Sequence, residues 1–542
     1  MTDYGIAMDM GTSGFRVQAI DLWDGSIVST AITTRHPIPG MNVIDHVNFA
    51  VDVGQEECNR LIVDTINKLL PLLKVDLQKV KRFAVCGNPF QLSLFQNIEI
   101  KDLAYAGKHK LESLGVVPPN RDGGVFDAKE LCLAINPQAE VIIPPAVRHE
   151  IGADALAMLI KTDVLERDEV CLVVDYGTNA EMALVVDGDV YTGSAAAGPA
   201  LEGQEIERGM LASPGAISDV TVDGDNWRCS VLDSEFMPRE GDTINPVDGS
   251  VLKKGEMHGR SKGITGTGVV AAIACGISEG LIRPPKINTP DHRLHLQDGI
   301  YITEKDVEEA GKAIGAIRAG FFTLLHEAGL PMDAIERSYM SGASGTYVDA
   351  RKAQQVGLVP PTASRIVQVG NTSLSLARDL VTNPSALDEL RDFAHDLRAK
   401  HCMFATSETF KNIYIIELAI WTNGMPPAMY NDMLKMYKLP PVPTESVRAN
   451  VDKVVNRDIP VLGTLGITIL EEIGITISAA LEGCVLCKKC MEECPEDAIT
   501  IEQKGEDKIA IIRTDKCGGT ACRRCENVCP KETLHLRDMK IM

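Results

Sequence analysis

The sequence predicts an α/β body built twice on one plan, followed by a small α+β domain. Three observations carry that expectation. Runs of β-branched apolar residues alternate with amphipathic helical stretches up to about residue 440. A short motif, apolar strand, Asp-x-Gly-Thr and a second apolar strand, occurs at residues 6–21 and again at 172–187. Eight of the fifteen cysteines fall between Cys484 and Cys529.

Composition sets the outer bounds. The 542 residues are 45% hydrophobic and 24% charged, an ordinary globular balance that excludes disordered and fibrous chains. The net charge of −21 argues against a nucleic-acid backbone as partner. The start, MTDYGIAMDMGTSGF, has neither the basic region nor the apolar core of a secretory signal. The most apolar late stretch, 461–481, is interrupted by Glu471 and Glu472, which a membrane span would not tolerate cheaply. The expectation is a cytoplasmic protein with no membrane partner. In that reducing setting, the seven scattered cysteines read as small buried hydrophobes.

Along the chain, residues 4–10, 83–86, 170–175 and 183–186 read as strands. Apolar positions at spacings of three and four predict helices over 55–73, 152–159, 304–328 and 373–380. The run Leu439-Pro-Pro-Val-Pro443 stiffens the chain and ends the body. The expected division is 1–168, 169–440, a linker over 441–478, and 479–542. The last segment holds eleven basic and twelve acidic residues, so nearly all of the negative charge lies in the body. Four of its basic residues, Lys488, Lys489, Arg523 and Arg524, sit inside the cysteine motifs.

Those motifs read Cys484-x2-Cys487-x2-Cys490-x3-Cys494-Pro495 and Cys517-x4-Cys522-x2-Cys525-x3-Cys529-Pro530. The first is the bacterial ferredoxin run, and the second has the same ending after a longer first gap. A tight loop offers three thiolates to one [4Fe–4S] cube, while the fourth cysteine, followed by proline, leaves the loop and ligates the other. The expected sets are Cys484, Cys487, Cys490 and Cys529 for one cluster, and Cys517, Cys522, Cys525 and Cys494 for the other. Zinc ribbons do not need three thiolates in one short loop, and disulfides conflict with the compartment.

In the body, Asp9-Met-Gly11-Thr12-Ser13 and Asp175-Tyr-Gly177-Thr178-Asn179 each join two apolar strands. Glycine lets the backbone approach a phosphate closely, and the hydroxyls and turn N–H groups bond its oxygens. Asp9 and Asp175 can hold Mg²⁺ directly or through water. A third element, Tyr339-Met-Ser341-Gly342-Ala343-Ser344-Gly345, is a small-residue strand-to-turn that could pack on the adenosine of ATP.

With both phosphate motifs and the adenosine motif in order, residues 1 to about 440 resemble the acetate kinase/sugar kinase/Hsc70/actin superfamily. The resemblance implies a duplicated actin-like ATPase fold, two subdomains around a nucleotide cleft. More narrowly, the chain resembles the ATP-dependent reductive activases of corrinoid proteins. Their signatures appear as Cys86-Gly87-Asn88-Pro89, Ile151-Gly152-Ala153-Asp154, Ala195-Ala-Ala-Gly198-Pro199-Ala200-Leu201-Glu202-Gly203, Gly263-Ile-Thr-Gly266-Thr-Gly268 and Gly370-Asn371-Thr372-Ser373. The C-terminal two-cluster ferredoxin resembles that of activases serving methylamine methyltransferase systems. The resemblance implies reduction of cobalt(II) corrinoid to cobalt(I) at the cost of ATP, with corrinoid proteins and a low-potential electron donor as partners. Two alternatives stand beside it, a small-molecule kinase and an ATP-gated scaffold, each with a redox-sensing tail. A kinase needs a carboxylate base beside an acceptor hydroxyl, and Asp154 and Glu202 are the candidates.

Overall fold

The computed structural model describes residues 2–40, 42–105, 108–147, 151–177, 179–195, 200, 203 and 205–541. It divides into two compact units. One comprises Met1–Asp154, Ser373–Asp396 and Val461–Met542, and the other Ala155–Thr372 and Leu397–Pro460.

The first unit is built on a seven-stranded sheet in the order Ile467–Leu470, Ile27–Thr33, Phe15–Asp21, Tyr4–Met10, Val80–Gly87, Glu140–Ile143 and Gly124–Asp127. Tyr4–Met10 pairs antiparallel with Phe15–Asp21 and parallel with Val80–Gly87. Covered on both faces, this central strand is buried from Gly5 onward, so it reads as a continuous apolar run interrupted only at Asp9.

The second unit repeats the plan. Its sheet runs Ala399–His401, Asp189–Ala195, Ala180–Val186, Cys171–Tyr176, Arg337–Ser341, Arg365–Gly370 and Asn450–Lys453. Cys171–Tyr176 again pairs antiparallel with the next strand and parallel with a later one. The duplication read from two short motifs therefore extends to sheet order and to strand direction, except at the outer edge, where Gly124–Asp127 runs antiparallel to its neighbour and Asn450–Lys453 runs parallel.

The expected helices form with small changes at their ends. Gln55–Leu69 is α-helical and passes into a 3₁₀ turn, Leu70–Leu73, where Pro71 has no N–H to continue the ladder. Glu304–Glu327 starts from a capping box in which Thr303 and Asp306 satisfy each other's backbone N–H groups. The expected linker is not slack. Asn450–Lys453 adds in parallel to Arg365–Gly370, and Ile467–Leu470 adds in parallel to Ile27–Thr33.

A five-stranded sheet over residues 216–264, not foreseen from the sequence, belongs to the second unit and buries Trp227 completely. The C-terminal domain has a four-stranded sheet, in which the hairpin Ile499–Lys504 and Asp507–Arg513 joins Thr476–Ala480 and Lys540–Ile541. Among the described residues, no helix is long and apolar enough to cross a membrane.

Candidate functional site: two phosphate turns and two cysteine sets

The first turn is tightly made. Asp9, only 7% exposed, lies opposite Arg16 on one neighbouring strand and Cys86 on the other. The Arg16 guanidinium stands 3.8 Å from its carboxylate. The N–H of Gly14 donates to the Gly11 carbonyl at 3.3 Å, closing the turn around Thr12 and Ser13. A Cβ on Gly11 would lie 3.1 Å from the Gly14 carbonyl, so a side chain there would crowd the inside of the turn. Asn88, which caps the helix Pro89–Phe95, donates from Nδ2 to Thr12 Oγ at 3.4 Å.

Asp154 joins this neighbourhood. The buried Cys86 thiol is pushed well up, first by burial and then by the charges of Asp154 and Asp9, while Ser373 hydrogen-bonds it. Four residues from separate sequence motifs thus meet at one place.

In the second turn, the N–H of Gly177 donates to the Asn179 carbonyl at 3.2 Å. Asp175 lies opposite Glu181 and Ser341 in the sheet. Gly342 has a left-handed φ of 79°, and a Cβ there would stand 2.2 Å from Asp175 Oδ1. No other residue type would leave that carboxylate in place. Ala343, Ser344 and Gly345 continue from it into the helix Gly342–Tyr347. Gln368 holds that helix by donating to the carbonyls of Gly345 at 2.6 Å and Val348 at 2.9 Å. Thr178 and Glu202 lie outside the described residues. The Gly263–Gly268 signature is a helix start, with Thr265 Oγ accepting from the Gly268 N–H at 3.1 Å.

The cysteines converge in two groups. Cys484, Cys487, Cys490 and Cys529 line one pocket of about 390 Å³, part of it open to solvent, together with Leu486 and Lys488. In the other group, burial first, and then the charges of the neighbouring Cys494 and Cys522, push the thiols of Cys517 and Cys525 up to about 12 and about 11. Thiolates crowded in this way repel one another, and a bound iron cluster removes that penalty, so both groups fit such a cofactor.

Backbone N–H groups already point at the sulfurs in matching positions. Leu486 donates to Cys484 Sγ at 3.5 Å and Gly519 to Cys517 Sγ at 3.3 Å. Both donors have left-handed φ, 55° and 58°, so the longer second gap keeps the same N–H···S bond. Lys488 and Arg523, likewise left-handed, each precede a short helix carrying the third cysteine of the loop. The Cys484 loop faces solvent, with Val485 55% exposed and Cys487, Lys488 and Lys489 also exposed. The Cys517 loop instead packs on residues that precede and form the helix Val43–Val53.

Asp242, His258 and Asp298 form a further group with ligand atoms within 4.8 Å of one another. Their carboxylates already accept the N–H groups of Gly255, Gly259 and Ser261, which makes the group a clasp for that loop.

Residues 169–431 match the family described as the C-terminal domain of RACo, the ASKHA domain, and residues 4–167 match the RACo middle region. Residues 483–533 match the 4Fe-4S dicluster domain. The chain is 51% identical over 520 residues, 96% of each protein, to the [Co(II) methylated amine-specific corrinoid protein] reductase of Methanosarcina barkeri. It is 29% identical over 371 residues to the corrinoid activation enzyme RamQ of Eubacterium limosum, covering 66% of this chain and 60% of that one. Among solved structures it is similar to a reductive activator for a corrinoid, iron-sulfur protein. That likeness has a TM-score of 0.63 and 25% identity, over 77% of this chain and 66% of the other.

Proposed function

The chain belongs to the reductive activators of corrinoid proteins, and from that premise we propose that it reduces cobalt(II) corrinoid to methyl-accepting cobalt(I) at the expense of ATP. Its substrates are the corrinoid proteins of methylamine methyltransferase systems. The observation that carries this reading is the full-length likeness to the methylated-amine reductase, which spans the body and the dicluster domain alike.

Physics explains why two such parts share a chain. Cobalt(II)/cobalt(I) is a very low-potential couple, and for one electron each ~59 mV is a factor of ten in equilibrium. Nucleotide binding can favour one conformation over another only by its difference in affinity for the two, and that difference supplies the free energy. When bound, the two clusters supply one-electron transfer from a low-potential donor in the same compartment.

The chain's own residues divide the remaining work. Thr12, Ser13 and the N–H groups of the first turn bond phosphate oxygens, as do Gly177, Thr178 and Asn179 in the second. Asp9 and Asp175 hold Mg²⁺, and Gly342–Gly345 pack against adenosine. Cys484, Cys487, Cys490 and Cys529 hold one cluster, and Cys494, Cys517, Cys522 and Cys525 the other.

The test is an anaerobic mixture of reduced protein, ATP and a cobalt(II) corrinoid protein, followed by its visible spectrum. Conversion to the cobalt(I) spectrum should need both ATP and the reductant. Phosphoryl transfer to a sugar without any reductant would replace this reading with a kinase.

A further inference from the structure

Residues 33–40 run from the first phosphate turn to the second cysteine set. At the turn, the N–H of Phe15 donates to Thr33 Oγ at 2.8 Å. A Cβ on Gly14 would lie 2.8 Å from that oxygen and 3.0 Å from the Thr33 carbonyl. The Phe15 ring meets the buried His36 ring edge-on, centroids 5.1 Å apart. His36 is tied to the turn by a second route. Its Nε2 donates to Gln91 Oε1 at 3.1 Å, the N–H of Gln91 donates to Asn88 Oδ1 at 2.9 Å, and Asn88 donates to Thr12.

At the other end, the N–H of Gly40 donates to the Cys517 carbonyl at 3.2 Å. Gly519 is pressed onto Pro39 so closely that a Cβ would stand 2.7 Å from its carbonyl oxygen and 3.2 Å from its Cβ. Arg523 pairs with Asp52, and Thr520 Oγ donates to the Asp45 carbonyl at 3.4 Å. Between the two ends, Arg35 reaches the Asp515 carbonyl at 3.4 Å and Glu496 at 3.7 Å.

We propose that Thr33–Gly40 is a positioning strap through which nucleotide at the first phosphate turn changes the reduction potential of the cluster held by Cys494, Cys517, Cys522 and Cys525. The proposal rests on the ATP and cluster reading above. Its physical hinge is Gly519, which touches Pro39 and whose N–H also donates to Cys517 Sγ at 3.3 Å. Hydrogen bonds to the sulfurs are among the main settings of a cluster's potential. A movement of Pro39 therefore acts on such a bond directly. The Cys484 set has no comparable contact with the strap among those described above, and its potential stays where it is. Coupling of this kind is reciprocal, so reduction of the Cys517 set changes nucleotide affinity by the same factor.

The experiment is a redox titration of the anaerobic holoprotein, followed by electron paramagnetic resonance, with and without a non-hydrolysable ATP analogue. The signal of the second set is identified by its loss in Cys494→Ser. The analogue should move that potential by about tenfold in equilibrium, about 59 mV, and leave the other in place. Gly519→Ala, which drives a methyl into Pro39, and Thr33→Val, which removes the oxygen that holds Phe15, should each cut the shift by more than half with both clusters and nucleotide bound. A protein that binds the analogue and holds both clusters at unmoved potentials overturns the strap alone. So does a full shift retained in Thr33→Val. A protein that binds no nucleotide, or holds only one cluster, overturns the functional reading and the strap with it.

Discussion

The imidazole of His36 stacks on that of His46, ring centroids 4.3 Å apart and planes 25° from parallel. Gln91 joins the two, its Oε1 accepting from His36 Nε2 at 3.1 Å and its Nε2 donating to His46 Nδ1 at 3.0 Å. With the Ile38 N–H donating to His36 Nδ1 at 3.0 Å, these bonds give both rings their neutral tautomers.

Stability should therefore fall on mild acidification. Burial holds His36 well below its ordinary value, helped by the nearby His46, and burial lowers His46 to about 3. Below about pH 6.5 the unfolded chain takes up protons that the folded chain refuses, so unfolding gains about 1.4 kcal/mol per pH unit per histidine. Urea unfolding of the anaerobic protein between pH 7.5 and 5.5 should show a slope that grows toward that value at the acid end. In His46→Leu the slope should lose one proton, whatever the variant costs in absolute stability. An equal slope in both proteins would mean that the pair is not neutral.

Iron content should reveal the crossed ligand sets. The intact chain should carry about eight irons, two cubes of four. Cys494→Ser, although it lies in the first cysteine run, should lose the cluster of the Cys517 loop and keep that of the Cys484 loop. Cys529→Ser should do the reverse. Iron analysis with electron paramagnetic resonance reads both. Loss of the Cys484 signal in Cys494→Ser would return each run to its own cluster.

Asp9→Ala should abolish ATP-dependent activation, by at least about 100-fold: on the proposed reading Asp9 holds Mg²⁺, and loss of such a carboxylate costs several kcal/mol of charge stabilisation. The cluster spectrum should be unchanged, because Asp9 belongs to the sheet and not to the dicluster domain. Asp154→Asn should weaken nucleotide binding in the same direction, since Asp154 crowds Gly152 together with Asn88, and Asn88 donates to Thr12 of the turn. Titration calorimetry with MgATP checks this separately from turnover.

Charge at the open cluster should set the rate of electron entry. Arg523 is already engaged by Asp52, whereas Lys488 and Lys489 stand exposed on the Cys484 loop. Complementary charge accelerates encounter more than it tightens binding, and it fades over a Debye length of about 8 Å at physiological salt. Activation should slow as salt rises. Lys488→Glu with Lys489→Glu should slow it several-fold at low salt and flatten the salt dependence, with iron content unchanged. The same change at Arg523 and Arg524 should also loosen the Cys517 loop from Asp52, which faster proteolysis near residue 520 would report. Rates insensitive to salt in every variant would leave these cations as plain solvating charge.

The amino-acid sequence by itself determined the parts whose geometry is local. Asp-x-Gly-Thr between apolar strands makes a turn wherever it occurs, and three cysteines at spacings of two make a loop that presents three thiols. The order of these motifs was enough to expect a duplicated sheet and a dicluster tail. Tertiary structure alone decided which distant pieces meet. Ile467–Leu470 is a short apolar strand that could add to many sheet edges, and nothing in its four residues names Ile27–Thr33 as the partner. The five-stranded sheet around Trp227 was not foreseen either, because short strands such as Ala216–Asp223 and Asn226–Leu232 carry no mark of which neighbours they will join. In the sequence, Gly518 and Gly519 stand in the longer first gap of the second cysteine run. Only the fold brings Pro39 against Gly519, because a contact across some 480 residues depends on backbone shape at both ends and leaves no periodic trace in either.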